Sequence, residues 1–131
     1  MPSTYVYRLL KTSWGVWISL TADARPPGTR DPRAVDVGSG VTLVDGTPGA
    51  TLDSGTLAML ALGLTSVVKE ITPTEIVVLE LRYNDCDFQA EGLAAAASGW
   101  ATAHFGLPPR EIPARFDRAN NRYVFDLPGL P

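Results

Sequence analysis

A chain of 131 residues with 45% hydrophobic and 19% charged residues has the balance of one globular domain, long enough to bury a core without metal or disulfide staples. Its single cysteine excludes an internal disulfide, and a net charge of −3 argues against broad nucleic-acid binding, whose affinity comes from Lys and Arg neutralising phosphates. The first twenty residues lack the apolar run of a signal peptide, and the most apolar stretch, LAMLALGLTSVV, falls short of the roughly 20 residues that cross a bilayer, so a soluble, cytoplasmic protein is expected.

The segments TYVYRLLKT and GVWISLTAD are rich in β-branched and aromatic residues and read as two strands joined at SWG, or as one long bent strand. Four aromatic residues, Tyr5, Tyr7, Trp14 and Trp17, fall within them. On strands Tyr5 and Tyr7 share a face, whereas Trp14 and Trp17 have opposite parity. Rings with an apolar body and a polar tip suit a partner surface as well as a core. ARPPGTRDPR, with three prolines and a glycine, excludes regular structure and is expected as an exposed loop carrying Arg25, Arg30 and Arg33. AVDVGSGVTLVDG then gives one or two short strands interrupted by Gly38 and Gly40, and DGTPGAT a turn.

Asp53 is a good N-cap for a helix over 54–70. Leu57, Leu60, Ala61, Leu64, Val67 and Val68 define one face, while Met59 and Leu62 lie off it, so burial around much of the girth is expected. Gly55 and Gly63 weaken the helix, and close packing against a neighbour is the expected compensation. EIVVLELRY is the clearest strand, with Val77, Leu79 and Leu81 facing one way and Ile76, Val78, Glu80 and Arg82 the other. After NDCD a second helix is expected over 89–105, with Leu93, Ala97, Trp100 and His104 on one side and Gly106 and LPP ending it. EIPARFD and RYVFDL flank RANN, a terminal hairpin with Asn120 or Asn121 at positive φ. The order predicts a single α+β domain over 1–131: a two-layer sandwich, its sheet mostly antiparallel, with two main helices packed on one face.

The run from DGTPGATLDSG to ATAHF resembles the fourth domain of elongation factor G and its ribosome-protection relatives. There a helix leads to a strand that ends in an aromatic and acidic turn, and a small-residue helix packs back. VLELRYNDCDFQAEGLAAAASG is similar to that strand–turn–helix, and GVWISLTADARPPG to the opening strand. The resemblance covers half of the chain. It implies a split β-α-β sandwich and, for function, a translation-linked RNA binder. No G-x-x-x-x-G-K-[ST] motif of the factor's GTP-binding domain occurs in the sequence, and the family's basic loops are replaced by mixed charge.

Chemistry is weighed around NDCD. A structural zinc site needs four Cys or His ligands, and the sequence holds one of each. Asp85, Asp87 and Glu91 lack the regular acidic spacing and loop glycine of a hard-cation site. A turn explains them: Asn84 and Asp85 suit it, Asp87 suits an N-cap, and Glu91 suits a first helical turn. Cys86 and His104 are separated by a helix about 24 Å long, which excludes a nucleophile–base pair if that helix is straight. Cys86 is expected as a small buried hydrophobe or an inert thiol, and His104 as a partner of the helix dipole. DSG and GSG are not nucleophile elbows, and the G-x-G of DVGSG lacks its third glycine. No catalytic residue, metal or cofactor is therefore assigned. The leading expectation is a non-enzymatic interaction module that binds another protein or itself, using Tyr5, Tyr7, Trp14, Trp17, Arg25, Arg30 and Arg33, with a homodimer through exposed β edges as one form. The alternative is a small-molecule-binding protein or minimal enzyme whose pocket is lined by Asp85, Asp87, Trp100 and His104.

Overall fold

Alternation along the N-terminal segment builds a hairpin. In the computed structural model, which describes residues 1–12, 14–28, 31–110 and 112–127, β1 (Ser3–Leu10) pairs antiparallel with β2 (Gly15–Arg25), from Ser3 opposite Ala22 to Leu10 opposite Gly15. Tyr5, Tyr7 and Leu9 turn toward the core, and Thr4, Val6, Arg8 and Leu10 are exposed on the opposite face. β3 (Val35–Gly38) and β4 (Val41–Asp45) form a second antiparallel pair. Their turn is the place where Gly38 and Gly40 adopt positive φ. β5 (Thr74–Tyr83) lies between the two hairpins, antiparallel to β2 and parallel to β4, giving the order β1-β2-β5-β4-β3.

The parallel contact follows from a helical crossover between β4 and β5. α1 (Ser54–Leu64) makes it, started by the Asp53 carboxylate, which accepts the Thr56 N–H at 2.7 Å. β4 and β5 are immediate neighbours, so the β-α-β unit is not split as the resemblance implied. α1 also stops earlier than expected. The Thr65 and Ser66 hydroxyls bond back to the carbonyls of Leu62 and Gly63, and a short 3-10 turn over Val68–Glu70 replaces the last turns.

α2 (Gly92–His104) packs on β1 and β2, α1 on β3 and β4, and the two helices pack on each other, all on one face of the sheet. The architecture is the α+β arrangement that the order of elements predicts. Small residues set its spacing: a Cβ at Gly99 would lie 2.3 Å from the Tyr5 ring. Gly106, at φ 68°, ends α2, and the Leu107 N–H returns to the Thr102 carbonyl at 2.8 Å.

The side-chain alternation of β5 slips once. Thr21 pairs with Glu80 but Ala22 with Val78, so Leu79 is an extra residue on β5. Ile76 and Val78 therefore join Leu81 in the core, where strict alternation would have placed them on opposite faces. A terminal hairpin, β6 (Ala114–Asp117) and β7 (Arg122–Phe125), turns at Asn121 with φ 51°. Its Tyr123 and Phe125, followed by Leu127, are buried in the same core as the helices.

Candidate functional site

The N-terminal residues expected on one partner surface are distributed over three environments. Tyr5 and Tyr7 point inward: Tyr5 lies under Gly99, and the Tyr7 ring is 6.4 Å from Phe125. Trp14 holds the terminal hairpin. Its indole N–H donates to Asn121 Oδ1 at 3.1 Å, its carbonyl accepts the Tyr123 hydroxyl at 2.7 Å, and its ring meets Tyr123 edge-on at 5.0 Å. Trp17 lies on the outer face of the sheet, opposite Arg8 in the β1–β2 register, and is half-buried.

The arginines also separate. Arg25 is exposed at the end of β2, and Arg30 lies outside the described residues. Arg33 is engaged within the fold: its guanidinium donates to the carbonyls of Ala50 and Leu52 and lies 3.6 Å from the Asp45 carboxylate. Asp45 in turn accepts the Thr47 hydroxyl and N–H and the Leu52 N–H, so the pair braces the loop over 46–52. Burial pushes the Asp45 carboxyl up. The hydrogen bonds from Thr47 and Leu52, with Arg33 beside them, outweigh it and hold the group below the ordinary carboxylate value.

The outer face of the β1–β2 hairpin carries an apolar strip that Arg8 interrupts, with Arg82 of β5 in register beyond Val6 and Ser19. Val6 is 39% and Leu10 73% exposed, with Arg8 between them and Trp17 across the strand pair. A depression of about 300 Å³ is lined by Arg8, Leu10, Trp14, Trp17 and Asp87, among others. Val6, Arg8 and Leu10 were absent from the sequence-derived surface. The signal for them was available: once Tyr5 and Tyr7 are assigned inward, strand parity sends the even residues of β1 outward.

The alternative pocket residues are not gathered into one cavity. Trp100, 1% exposed, donates its indole N–H to the Ser3 carbonyl at 3.1 Å. The His104 ring stacks on it at 4.6 Å, with Nδ1 2.6 Å from Ser3 Oγ. This pair fastens the start of β1 to the end of α2. Asp87 instead shares the outer depression with Trp17, while Trp100 lines a void of about 10 Å³ inside the core.

Asp85–Asp87 form a 3-10 turn, closed by Asn84, whose side chain accepts the Cys86 N–H at 3.0 Å. Asn84 thus caps this 3-10 turn and not α2, which begins only at Gly92, so the helix cap expected at Asp87 is not made. Because this turn projects outward, Cys86 is exposed rather than buried. Glu91 occupies the cap position of α2 without capping it. Its carboxylate accepts from Gln89 and pairs with Arg122 at 2.7 Å. Among the described residues no three His, Cys, Asp or Glu side chains gather as metal ligands would, and no helix is long and apolar enough to cross a membrane. No protein-family model matches the chain, and no curated protein matches it.

Proposed function

We propose that this chain is a small protein-interaction module whose contact face is the outer side of the β1–β2 hairpin. The observation that carries the reading is the strip Val6, Arg8 and Leu10 on an edge strand, with Trp17 beside it. Exposed apolar side chains grouped on one strand, with an aromatic ring and an arginine, have the composition of an interface core. Of the sequence-derived arginines among the described residues, Arg25 stands at the opposite end of β2 from the residue that pairs with Leu10, and Arg33 is committed to the Asp45 loop, so neither is part of this face.

Sedimentation velocity and affinity capture with the wild-type chain and a Leu10→Asp/Trp17→Ala double variant test the reading together. Self-association or partner capture should weaken at least tenfold in the double variant while its melting temperature stays close to wild type. Association that is fully retained would remove the outer face as the contact surface.

A further inference from the structure

The middle of the outer face is a small grid of side chains with a twofold pattern of charge. β2 turns Ile18, Leu20 and Ala22 into the core, so Ser19 and Thr21 face outward. Register then places Val6, Ser19 and Arg82 in one row and Thr4, Thr21 and Glu80 in the next. The Thr4 and Thr21 hydroxyls, 2.7 Å apart, show that the second row shares one face. Glu80 and Arg82 are both exposed, and among the described residues neither makes an ion pair within the chain.

Around this grid the signs balance locally, although the chain carries a net charge of −3. Arg8 shares its depression with Asp87, Asp23 lies 3.4 Å from the Met1 amine, and Arg25 stands opposite Glu75 in register. A partner of one sign, nucleic acid included, finds no matching field on such a face. A second copy does. Rotation by 180° about an axis that crosses the strands between the two rows sets each row on the other. Arg82 of each copy then meets Glu80 of the other, twice in one interface, as a closed twofold contact requires. The same rotation lays Ser19 over Thr21 and Val6 over Thr4, side chains short enough for two sheets to approach to about 10 Å. Trp17 and Leu10 extend the apolar area on the side of the β1–β2 turn.

We propose that the chain forms a twofold homodimer through the outer faces of its sheets, with reciprocal Arg82–Glu80 pairs across the axis. This rests on the protein-interaction reading and names the partner as a second copy. It differs from the edge pairing expected from the sequence, because side chains alone cross the interface and no strand is added to either sheet.

Sedimentation velocity over a concentration series of the full chain tests it, with Glu80→Arg, Arg82→Glu and an equimolar mixture of the two. The wild type should dimerise reversibly. Each single variant sets like charges together twice and should weaken the dimer at least tenfold. The mixture should recover it, because every crossing pair is again of opposite sign. Native mass spectrometry should then find the heterodimer, separated by mass from either homodimer. Misfolding of a variant cannot produce that recovery. A wild type that stays monomeric, single variants that dimerise as it does, or a mixture that stays monomeric would overturn the proposal. In each of these cases partner capture that is still lost in Leu10→Asp/Trp17→Ala leaves the outer face standing as a surface for another protein, and capture indifferent to that variant removes the face as well.

Discussion

Gly63 and Gly55 occupy the same helix and have opposite environments. A Cβ at Gly63 would stand 2.0 Å from the backbone carbonyl oxygen of Ala94, and a rigid backbone atom cannot move aside as a flexible side chain can. Gly63→Ala therefore forces α1 and α2 apart and should cost about 1–3 kcal/mol, the range for overpacking a tight contact. At Gly55 the nearest atom is Asp53 Oδ1 at 3.5 Å, ordinary van der Waals contact. Gly55→Ala should stabilise by about 0.5–1 kcal/mol through helix propensity. Urea midpoints of both variants check the pair, and equal shifts would sink the close-contact account of Gly63. In the sequence the two glycines carry the same penalty and prompt the same expectation of close packing. What separates them is the crossing of α2, whose contacting residue lies thirty-one positions further on. Local pattern cannot supply that.

At the scale of elements, the terminal hairpin shows the same division. Its turn was legible, because Asn tolerates the positive φ that Asn121 adopts. Its docking was not, because that depends on one hydroxyl meeting a loop more than a hundred positions away. Tyr123 accepts the Lys11 N–H at 2.9 Å and donates to the Trp14 carbonyl at 2.7 Å, while Gln89 bonds the Tyr123 backbone N–H at 2.8 Å. Tyr123→Phe keeps the buried ring and removes both hydroxyl bonds, leaving a donor and an acceptor in the β1–β2 turn without their partner. The cost should be about 1–3 kcal/mol, and limited proteolysis should cut the hairpin faster. An unchanged urea midpoint together with unchanged cleavage would mean that ring packing alone holds it. The bulge at Leu79 is a similar case. In EIVVLELRY the apolar run from Ile76 to Leu79 hides the point where the two faces exchange, and only pairing with β2 reveals the extra residue that sends Ile76, Val78 and Leu81 to one side. The end of α1 was nearer to being legible, since Thr65 and Ser66 are residues whose hydroxyls compete with the helical ladder.

For the molecule as a whole, two layers could be read from the sequence because helical periodicity and strand composition are properties of each segment. The proposed contact face was read only in part. Its location depends on which parity of β1 faces α2, and Tyr5 and Tyr7 decide this by packing under Gly99 and against Phe125. Carboxylates act at this scale too, because their protonation couples to folding of the entire chain. Asp45, with a side chain only 1% exposed, is held below its ordinary value of 3.8 by the donors of Thr47 and Leu52 and by Arg33, against the opposing effect of burial. Asp53 is lowered by the Thr56 N–H at the start of α1, and Asp117 by Asn120 in the terminal hairpin. For a depressed carboxyl the unfolded chain takes up the proton first, so acid draws the equilibrium toward unfolding. The stabilisation is complete above the unfolded value and is lost as pH falls through the lower native one. Thermal melts should therefore show an acid limb that opens as pH drops to about 4 and deepens below it. Asp45→Asn separates one contributor. It keeps an acceptor for Thr47 but turns an amide N–H₂ toward the Leu52 N–H and Arg33, so its neutral-pH stability should fall by about 1–3 kcal/mol. Because the substituted group no longer titrates, its acid limb should be shallower than that of the wild type. A lowered plateau with a parallel limb would show that Asp45 is a structural acceptor whose protonation does not govern acid unfolding.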